Sequence, residues 1–275
     1  MRRQLVAVAA ALGLLLTIVT PVGAITNGTP DNGAHPYVGL IGFYDASGAW
    51  LWRCSGTLIA PTVVLTAGHC TGIDPTTGEV PARAQVWFDE HIAAPPTPPD
   101  PNAYPVGGGV WGTPHPNPLW TGYLTIPDTH DVGVVVLDEA APGITEFGAL
   151  PEPGVLDTLA TRRGPDYPSF TVVGYGLQQV KPVQLSDRSR LVGTVSLVNL
   201  RSHLTDGYNV EFSNNAGHWT GGTCFGDSGG PAFLGTSNVV VAVTSFGMNG
   251  NCAGVGFNYR VDIAESIGFI DEWLP

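Results

Sequence analysis

The sequence predicts an all-β protein made of two antiparallel β-barrels, with a helix at its C-terminal end. Short apolar or alternating segments recur along the chain, and glycine and proline separate them, which favours strands over helices. Glycine (37 residues) and proline (24 residues) are plentiful, whereas charged residues make up 12% of the chain. Closing two sheets into barrels would remove their exposed edges, and 275 residues give ample length for both cores.

Strands are expected at residues 37–44, 56–66, 84–88, 131–137, 170–173, 190–198 and 239–246. The first barrel should extend over about residues 25–140 and the second over about residues 155–260. A long connection near residues 140–165 would join them, and the sequence contains no internal repeat.

A helix is expected at residues 262–274. Asp262 and Glu265 have the spacing of a capping box at its first turn. Apolar residues then recur at helical spacing, at Ile263, Ile267, Ile270 and Leu274. A stripe of this kind more often packs on a core than binds a partner, so the helix should lie on the second barrel.

The N-terminus has the pattern of a secretory signal peptide. Arg2 and Arg3 precede an apolar run at residues 5–19, and Val22-Gly23-Ala24 supplies the small residues of a cleavage site. The run is short for a membrane span, although a signal anchor is the alternative. We therefore expect residues 1–24 to be removed, which leaves a secreted chain of residues 25–275 with no membrane attachment.

The chain is acidic. Its net charge is −12, and the mature chain would carry 9 basic and 23 acidic residues, a net charge of −14. Such a surface repels nucleic acids and anionic membranes, so we expect neither as a partner.

All four cysteines lie in the part expected to be exported, where disulfides form. Four cysteines allow three pairings. A four-cysteine zinc site is the alternative, but it lacks the close paired spacing of such sites. Asp89-Glu90 alone does not indicate a calcium site, so no metal or organic cofactor is expected.

Residues 226–231, Gly-Asp-Ser-Gly-Gly-Pro, carry the chemistry. The glycines leave the hydroxyl of Ser228 exposed and its backbone free to approach a reacting carbonyl. A serine nucleophile needs a base and a group that orients the base. His69, in Thr-Ala-Gly-His-Cys, and Asp131, at the head of an apolar strand, supply both. The three residues indicate a serine hydrolase.

Two nearby residues compete for these roles. His130 directly precedes Asp131, but successive side chains of a strand face opposite sides, so His130 should point away from the site. Asp128 is a second acid close by, but only Asp131 directly enters an apolar strand.

In the order His, Asp, Ser, these segments resemble the trypsin/chymotrypsin family of serine endopeptidases. Residues 25–28, 54–59, 173–176 and 245–247 match further family segments in the same order, so the resemblance extends from Ile25 to the C-terminus. It implies a chymotrypsin-like fold of two six-stranded antiparallel barrels with a terminal helix. It also implies a secreted enzyme that hydrolyses peptide bonds through an acyl-enzyme.

The resemblance assigns roles to the catalytic residues. Ser228 is the nucleophile, His69 the general base, and Asp131 the acid that orients His69. The backbone N–H groups of Gly226 and Ser228 would form the oxyanion hole. Ser245 matches a family serine that lies close to the triad acid, although an ordinary strand residue is the alternative.

The resemblance also implies covalent and ionic links around the site. It pairs Cys54 with Cys70 and Cys224 with Cys252. Asp227 would turn inward to pair with the α-amino group of the mature N-terminus, Ile25. Because Ile25 directly follows the predicted signal cleavage, one cut could create the activating N-terminus without a propeptide.

The specificity pocket is expected to be open and neutral. Gly222 stands where trypsin-like enzymes have an aspartate, so cleavage after lysine or arginine is not indicated. Gly247 and Gly256 match wall positions, and Phe246 replaces the common tryptophan. This pattern favours a large apolar residue on the acyl side, as in chymotrypsin.

Residues 93–119 depart from the compact pattern of the family. They contain nine prolines, the triplet 107–109 of glycine, and the aromatic residues Tyr104 and Trp111. Loops this long are usually functional or disordered, so the segment is either a stiff surface insertion or a rim that contacts substrate.

Two other functions share these features. A catalytically silent binding protein could keep the same scaffold, and a hydrolase of small esters could use the same triad. For an endopeptidase we expect a monomer that acts on protein or peptide substrates, with a protein inhibitor as a further partner class.

Overall fold

The computed structural model describes residues 25–92, 104, 107–160, 168–214 and 221–275. In these ranges the chain forms thirteen strands and three short helices. None of these helices has the length and apolar character needed to cross a membrane. The predicted signal peptide lies outside the described residues.

The first barrel is closed by six antiparallel strands in the order β2-β3-β4-β7-β6-β5. These strands are β2 (Val38–Tyr44), β3 (Trp50–Ala60), β4 (Val63–Thr66), β5 (Arg83–Trp87), β6 (Val110–Pro116) and β7 (Gly133–Leu137). Valine, leucine and isoleucine side chains fill the interior, and a one-turn helix, α1 (Gly68–Thr71), follows β4 after one residue.

The second barrel has six antiparallel strands in the order β9-β10-β13-β12-β11-β8, and β8 pairs with β9 to close it. They are β8 (Ser169–Gly174), β9 (Leu191–Asn199), β10 (Asn209–Asn214), β11 (Pro231–Leu234), β12 (Val240–Gly247) and β13 (Gly254–Arg260). A short strand near the start of the described chain, β1 (Thr29–Pro30), adds to β9. The connection between the barrels contains α2 (Val155–Ala160), and α3 (Ala264–Asp271) ends the fold.

The predicted fold class is therefore confirmed, but several strands differ from expectation. The segment predicted as one strand at residues 56–66 belongs to two strands, because the chain turns at Pro61 and Thr62. β6 lies inside the proline-rich segment, which is therefore not a loop throughout. Its prolines hid the strand, since proline is normally depleted in sheets.

The C-terminal helix is confirmed in kind, but its capping box is wrong. Ile263 is the N-cap and makes no side-chain capping bond. The Asp262 carboxylate instead accepts hydrogen bonds from the Leu156 backbone N–H (2.8 Å) and from Arg260 (2.8 and 2.9 Å). The helix buries Phe269, Ile270 and Ser266 against the protein rather than a simple isoleucine stripe.

A buried ion pair links the two barrels. Arg190 donates from Nε to Asp31 Oδ2 (2.9 Å), and both side chains are almost wholly buried. Nη1 of Arg190 also donates to the carbonyl of Val38 on β2 (3.2 Å) and to the hydroxyl of Tyr175 (3.1 Å). Burial acts to raise the pKa of Asp31, but bonds from His35 and Arg190 outweigh it and hold the pKa below its ordinary value.

We predict that Arg190→Met lowers the free energy of unfolding by about 3–5 kcal/mol, because the variant leaves a buried carboxylate short of its cation. Denaturant unfolding at neutral pH measures this loss. Arg83→Met is the matched control, since Arg83 pairs with Asp138 at the surface and its removal should cost under about 1 kcal/mol. Equal losses in the two variants would contradict the assignment.

Candidate active site

His69 lies on α1, at the end of β4 of the first barrel. A disulfide between Cys54 and Cys70 ties this helix to β3. Trp52 on β3 also donates from Nε1 to the Cys70 carbonyl (3.0 Å). One turn of helix has little stability of its own, so these links hold His69 in place.

Asp131 is wholly buried and holds His69 by two bonds. Its Oδ1 accepts the backbone N–H of His69 (2.7 Å), and its Oδ2 lies 2.9 Å from Nδ1 of the ring. Ser245, on β12 of the second barrel, donates to the same Oδ2 (2.5 Å). Nε2 is therefore the ring nitrogen of His69 left free for chemistry.

The pair has shifted pKa values. Burial acts to lower the pKa of His69, but the charge and hydrogen bond of Asp131 outweigh burial and raise it above its ordinary value. Burial likewise acts to raise the pKa of Asp131, and His69 and Ser245 hold it below its ordinary value. Asp131 is therefore ionised at neutral pH, and it favours the imidazolium form of His69.

Ser228 lies in a tight loop that only glycine permits. Gly226 and Gly229 have positive φ angles of 93° and 74°. A Cβ on Gly229 would lie 2.0 Å from Thr66 Oγ1. The loop therefore brings Ser228 against the first barrel, and both Ser228 and His69 line one large cavity.

The Gly226 and Ser228 N–H groups donate to no acceptor among the described residues, and the Ser228 hydroxyl makes no hydrogen bond to His69 there. Backbone donors left free beside a serine can receive an oxyanion. Catalytic hydrogen bonds are often long without substrate.

Sequence reasoning missed Ser55, which anchors this loop. Ser55 is fully buried on β3, and its Oγ donates to the Gly226 carbonyl (2.9 Å) while its N–H donates to the Ser228 carbonyl (2.8 Å). The Tyr175 N–H donates to the same Oγ (3.0 Å). The first barrel thus fixes both residues that are predicted to form the oxyanion hole.

Asp227 is buried beneath the loop. Its carboxylate accepts N–H groups of Gly176 (2.8 Å) and Cys224 (2.9 Å), and it forms no ion pair with any described residue. Burial raises its pKa to about 7, although these bonds and the charge of Arg53 oppose that rise. Ile25 is also fully buried, and the next residue, Thr26, exchanges backbone hydrogen bonds with Gly222 (2.9 and 3.1 Å).

The cavity walled by Phe246, named the acyl-side cavity after its expected role, has about 550 Å³, and its described lining residues are neutral apart from His69. Phe246 forms one wall and stacks on Phe257 (ring centroids 4.7 Å apart). A Cβ on Gly247 would meet only one atom, at 3.9 Å, so this position is open as expected. The disulfide Cys224–Cys252 closes another side.

The open wall expected at Gly256 is filled by Asn214, which also packs against Gly222. A Cβ on Gly222 would lie 2.6 Å from Asn214 Cβ, and one on Gly256 would lie 2.8 Å from Asn214 Nδ2. Asn214 lines the cavity and Gly222 does not. The space expected at Gly256 is therefore taken up by a buried amide, which no local sequence signal indicates.

His130 points away from the site, but not because strand side chains alternate: β7 begins at Gly133, and His130 precedes it with a φ angle of 47°. Its Nδ1 lies 2.6 Å from Glu265 Oε1 on α3 and 3.3 Å from Asp128 Oδ1. These three groups are close enough to hold a cation, but Tyr259 also donates to Asp128 Oδ1 (3.0 Å), so the cluster is already hydrogen-bonded. Both cysteines beside His69 are in a disulfide and cannot ligate a metal.

Three comparisons relate the chain to known proteins by family, by sequence and by fold. The family model for trypsin matches residues 25–267. Human (Homo sapiens) kallikrein-2 is 30% identical over 209 residues, which cover 71% of this chain and 70% of kallikrein-2. A solved structure of HL collagenase is similar in fold, with a TM-score of 0.66, 18% identity, and coverage of 90% of this chain and 97% of the collagenase chain.

The His69–Asp131 contact predicts an imidazole pKa above the ordinary value of 6.5. Asp131→Asn should lower this pKa, because the variant removes the negative charge while burial still disfavours the imidazolium. NMR titration of the imidazole measures both values. His203→Gln is the matched control: its spectrum lacks the resonance of a different histidine, and the pKa of His69 should stay raised. A pKa that is unchanged in Asp131→Asn would contradict the assignment.

Proposed function

Because the chain belongs to the trypsin family and is a serine-type endopeptidase, we propose that Ser228, His69 and Asp131 are its catalytic triad. The observation that carries this proposal is the buried Asp131, which binds Nδ1 of His69 and leaves Nε2 free in the cavity that Ser228 also lines. The chain acts on protein or peptide substrates, as the family does.

In this mechanism Nε2 of His69 accepts the proton of the Ser228 hydroxyl as the oxygen attacks the scissile carbonyl. The N–H groups of Gly226 and Ser228 stabilise the oxyanion, an effect worth about 10²–10³ in rate for each donor. His69 then protonates the leaving amine, and the same base activates the water that hydrolyses the acyl-enzyme. Asp131 and Ser245 keep the imidazole in its reactive tautomer.

The acyl-side cavity supports a preference for a large apolar residue before the scissile bond. None of the described residues that line the cavity has a carboxylate, so they offer no partner to lysine or arginine. Phe246, Val255 and Met248 give it an apolar lining. Asn214 limits its depth, and differences of one methylene group in such pockets are worth only about 1–3 kcal/mol, so the preference should be graded.

We further propose that the enzyme is secreted and that removal of residues 1–24 activates it. Cleavage after Ala24 would free the α-amino group of Ile25. This cation would then pair with Asp227, which is buried at the base of the oxyanion loop without a cationic partner among the described residues. A buried carboxylate of this kind is costly until it is paired.

Fluorophosphonate labelling of the mature protein tests the triad. Wild type should react, and Ser228→Ala should not react and should lose about 10⁶ in kcat, because the triad acts as a unit. Ser196→Ala, a strand serine of β9, is the matched control and should label normally. Mapping the cleavage sites in a digested protein should show large apolar residues on the acyl side. A folded wild type that does not label would overturn the proposal.

The activation proposal predicts a stability difference between two N-termini. In a form that retains Ala24, the folded-state pKa of Asp227 (about 7) lies above its unfolded value. The contribution of Asp227 to the free energy of unfolding is therefore fully present below about pH 4 and is lost as the pH rises through 7. The form that begins at Ile25 should be more stable at pH 7, by about 3–5 kcal/mol. It should instead lose activity in alkali, as the amine deprotonates above its reference pKa of about 8.

Denaturant unfolding of both forms across pH 4–9 measures this difference. Asp227→Asn in the form that retains Ala24 is the control, and it should remove the decline between pH 4 and 7. Equal stability and equal peptidase activity of the two forms would exclude an activating role for the Ile25 amine.

A further inference from the structure

A second cavity opens from the catalytic cleft beyond the oxyanion loop. It has about 550 Å³ and is lined by Trp50, Trp52, Arg53, Tyr104, Leu177, Gln184 and Ser186. Trp52 and Arg53 also line the neighbouring cavity that contains Ser228 and His69. The two cavities therefore adjoin at these residues, and a peptide bound at Ser228 would pass Arg53 to reach the second one.

Arg53 stands at the entrance to this second cavity, beside the oxyanion hole. A Cβ on Gly226 would lie 3.1 Å from Nε of Arg53 and 3.5 Å from Nη2. The guanidinium therefore lies about one residue's length from the place where the proposed triad would hold the scissile bond of a substrate. It is held on β3 by the neighbouring disulfide cysteine, Cys54, on a rigid part of the first barrel.

The charge of Arg53 is oriented but not neutralised. Nη1 donates to the Tyr104 hydroxyl (3.0 Å) and Nη2 to Ser186 Oγ (2.6 Å), and both partners are neutral. Among the described residues Arg53 forms no ion pair, and no acid lines the second cavity. The guanidinium of Arg188 lies 4.2 Å from the centre of the Tyr104 ring and adds a second cation behind it.

The walls favour an extended peptide with a negative group. The ring of Trp50 stacks on that of Tyr104 (centroids 4.1 Å apart), so the two aromatic side chains form a flat, rigid side. A partly exposed arginine fixed by neutral partners keeps N–H groups for a carboxylate, which it can bind in a planar fork.

We propose that Arg53 and the Trp50–Tyr104 wall form a binding site for a carboxylate on the leaving-group side of the scissile bond. The acyl side chain occupies the cavity walled by Phe246, so the leaving segment runs the other way from Ser228, past Gly226 to Arg53. The site rests on the proposed triad for its orientation. The proposed site would make the enzyme select substrates that carry a carboxylate shortly after the scissile bond. The neutral contacts of the acyl-side cavity cannot provide this selectivity.

The carboxylate can come from an acidic side chain within a longer chain or from the C-terminus of a short one. Matched fluorogenic peptides separate these sources. One set places Glu or Gln at the first, second or third position after the cut, with the C-terminus amidated. A second set ends at each of these positions with either a free carboxylate or an amide.

Wild type should cleave at least one acidic peptide about fivefold faster in kcat/KM than its neutral partner, a size expected for one charge-assisted bond at a partly exposed site. The ratio should fall as salt rises, because the pair is only partly shielded from solvent. Preference in the first set alone identifies a side chain, and preference in the second set alone identifies a chain end. Both results support the site.

Arg53→Gln should bring the ratio to about one, and Arg53→Lys should keep part of it. Arg201→Gln is the control, because it removes the same charge from an exposed position on the second barrel and should leave the ratio unchanged. The ratio is the readout because Arg53 also influences Asp227, so its loss can lower the rates on both peptides together.

Equal rates of wild type on every matched pair would overturn the inference, and this comparison needs no variant. A preference that persists in Arg53→Gln would also overturn it. Cleavage of the neutral peptides at normal rates would show that the proposed triad stands although this site does not. If no peptide is cleaved by folded enzyme that begins at Ile25, both proposals fail.

Discussion

A buried carboxylate needs a cation, and this requirement organises much of the molecule. Four aspartate side chains are buried among the described residues: Asp31, Asp131, Asp227 and Asp262. Three of them face an arginine or a histidine, which keeps the cost of desolvation within what a folded domain can tolerate. The pairs of Asp31 and Asp131 join segments that are distant in the chain, and Asp262 binds the Leu156 N–H of α2 besides Arg260. The bonds that compensate these charges therefore also hold distant segments together.

Asp131 shows how one such pair positions chemistry. Its donors come from both barrels, with His69 on the first and Ser245 on the second. Any shift of one barrel against the other would stretch a bond to a fully buried charge. Ser55 gives a second constraint of the same kind, because one buried serine of β3 binds two carbonyls of the loop that contains Ser228. These bonds hold the two barrels together at the proposed triad.

Much of this could be predicted from the sequence, and the exceptions have physical causes. Strands made of nearly continuous apolar residues, such as β2 and β7, are indicated by their own sequence. The short motifs around His69 and Ser228 indicate the predicted site because their residues are neighbours in the chain. β6 was hidden by proline, and the capping role of Asp262 was wrong because Arg260 and the Leu156 N–H compete for its oxygens.

Asn214 and Arg53 could not be recognised because their importance is tertiary. Asn214 is far in sequence from Gly256, whose missing side chain it replaces, and Arg53 reads as an ordinary strand residue until Gly226 packs against it. Sequence patterns report what a residue does for its own element. Both of these residues act on another element, across a cavity that exists only in the fold.

Asp227 is the one buried aspartate among the described residues that forms no ion pair, and it lies at the base of the oxyanion loop. Its acceptor bonds come only from backbone N–H groups, which lower the cost of the charge without cancelling it, and its pKa is about 7. A Cβ on Gly174 or Gly176 would collide with the carboxylate, so the chain keeps space for it rather than excluding it. The buried charge of Asp227 lowers the stability of the fold, yet the chain leaves room for it at the base of the oxyanion loop. One new cation at this position would therefore stabilise the loop. The α-amino group of a newly cut chain end is such a cation, and it requires no other part of the fold to change.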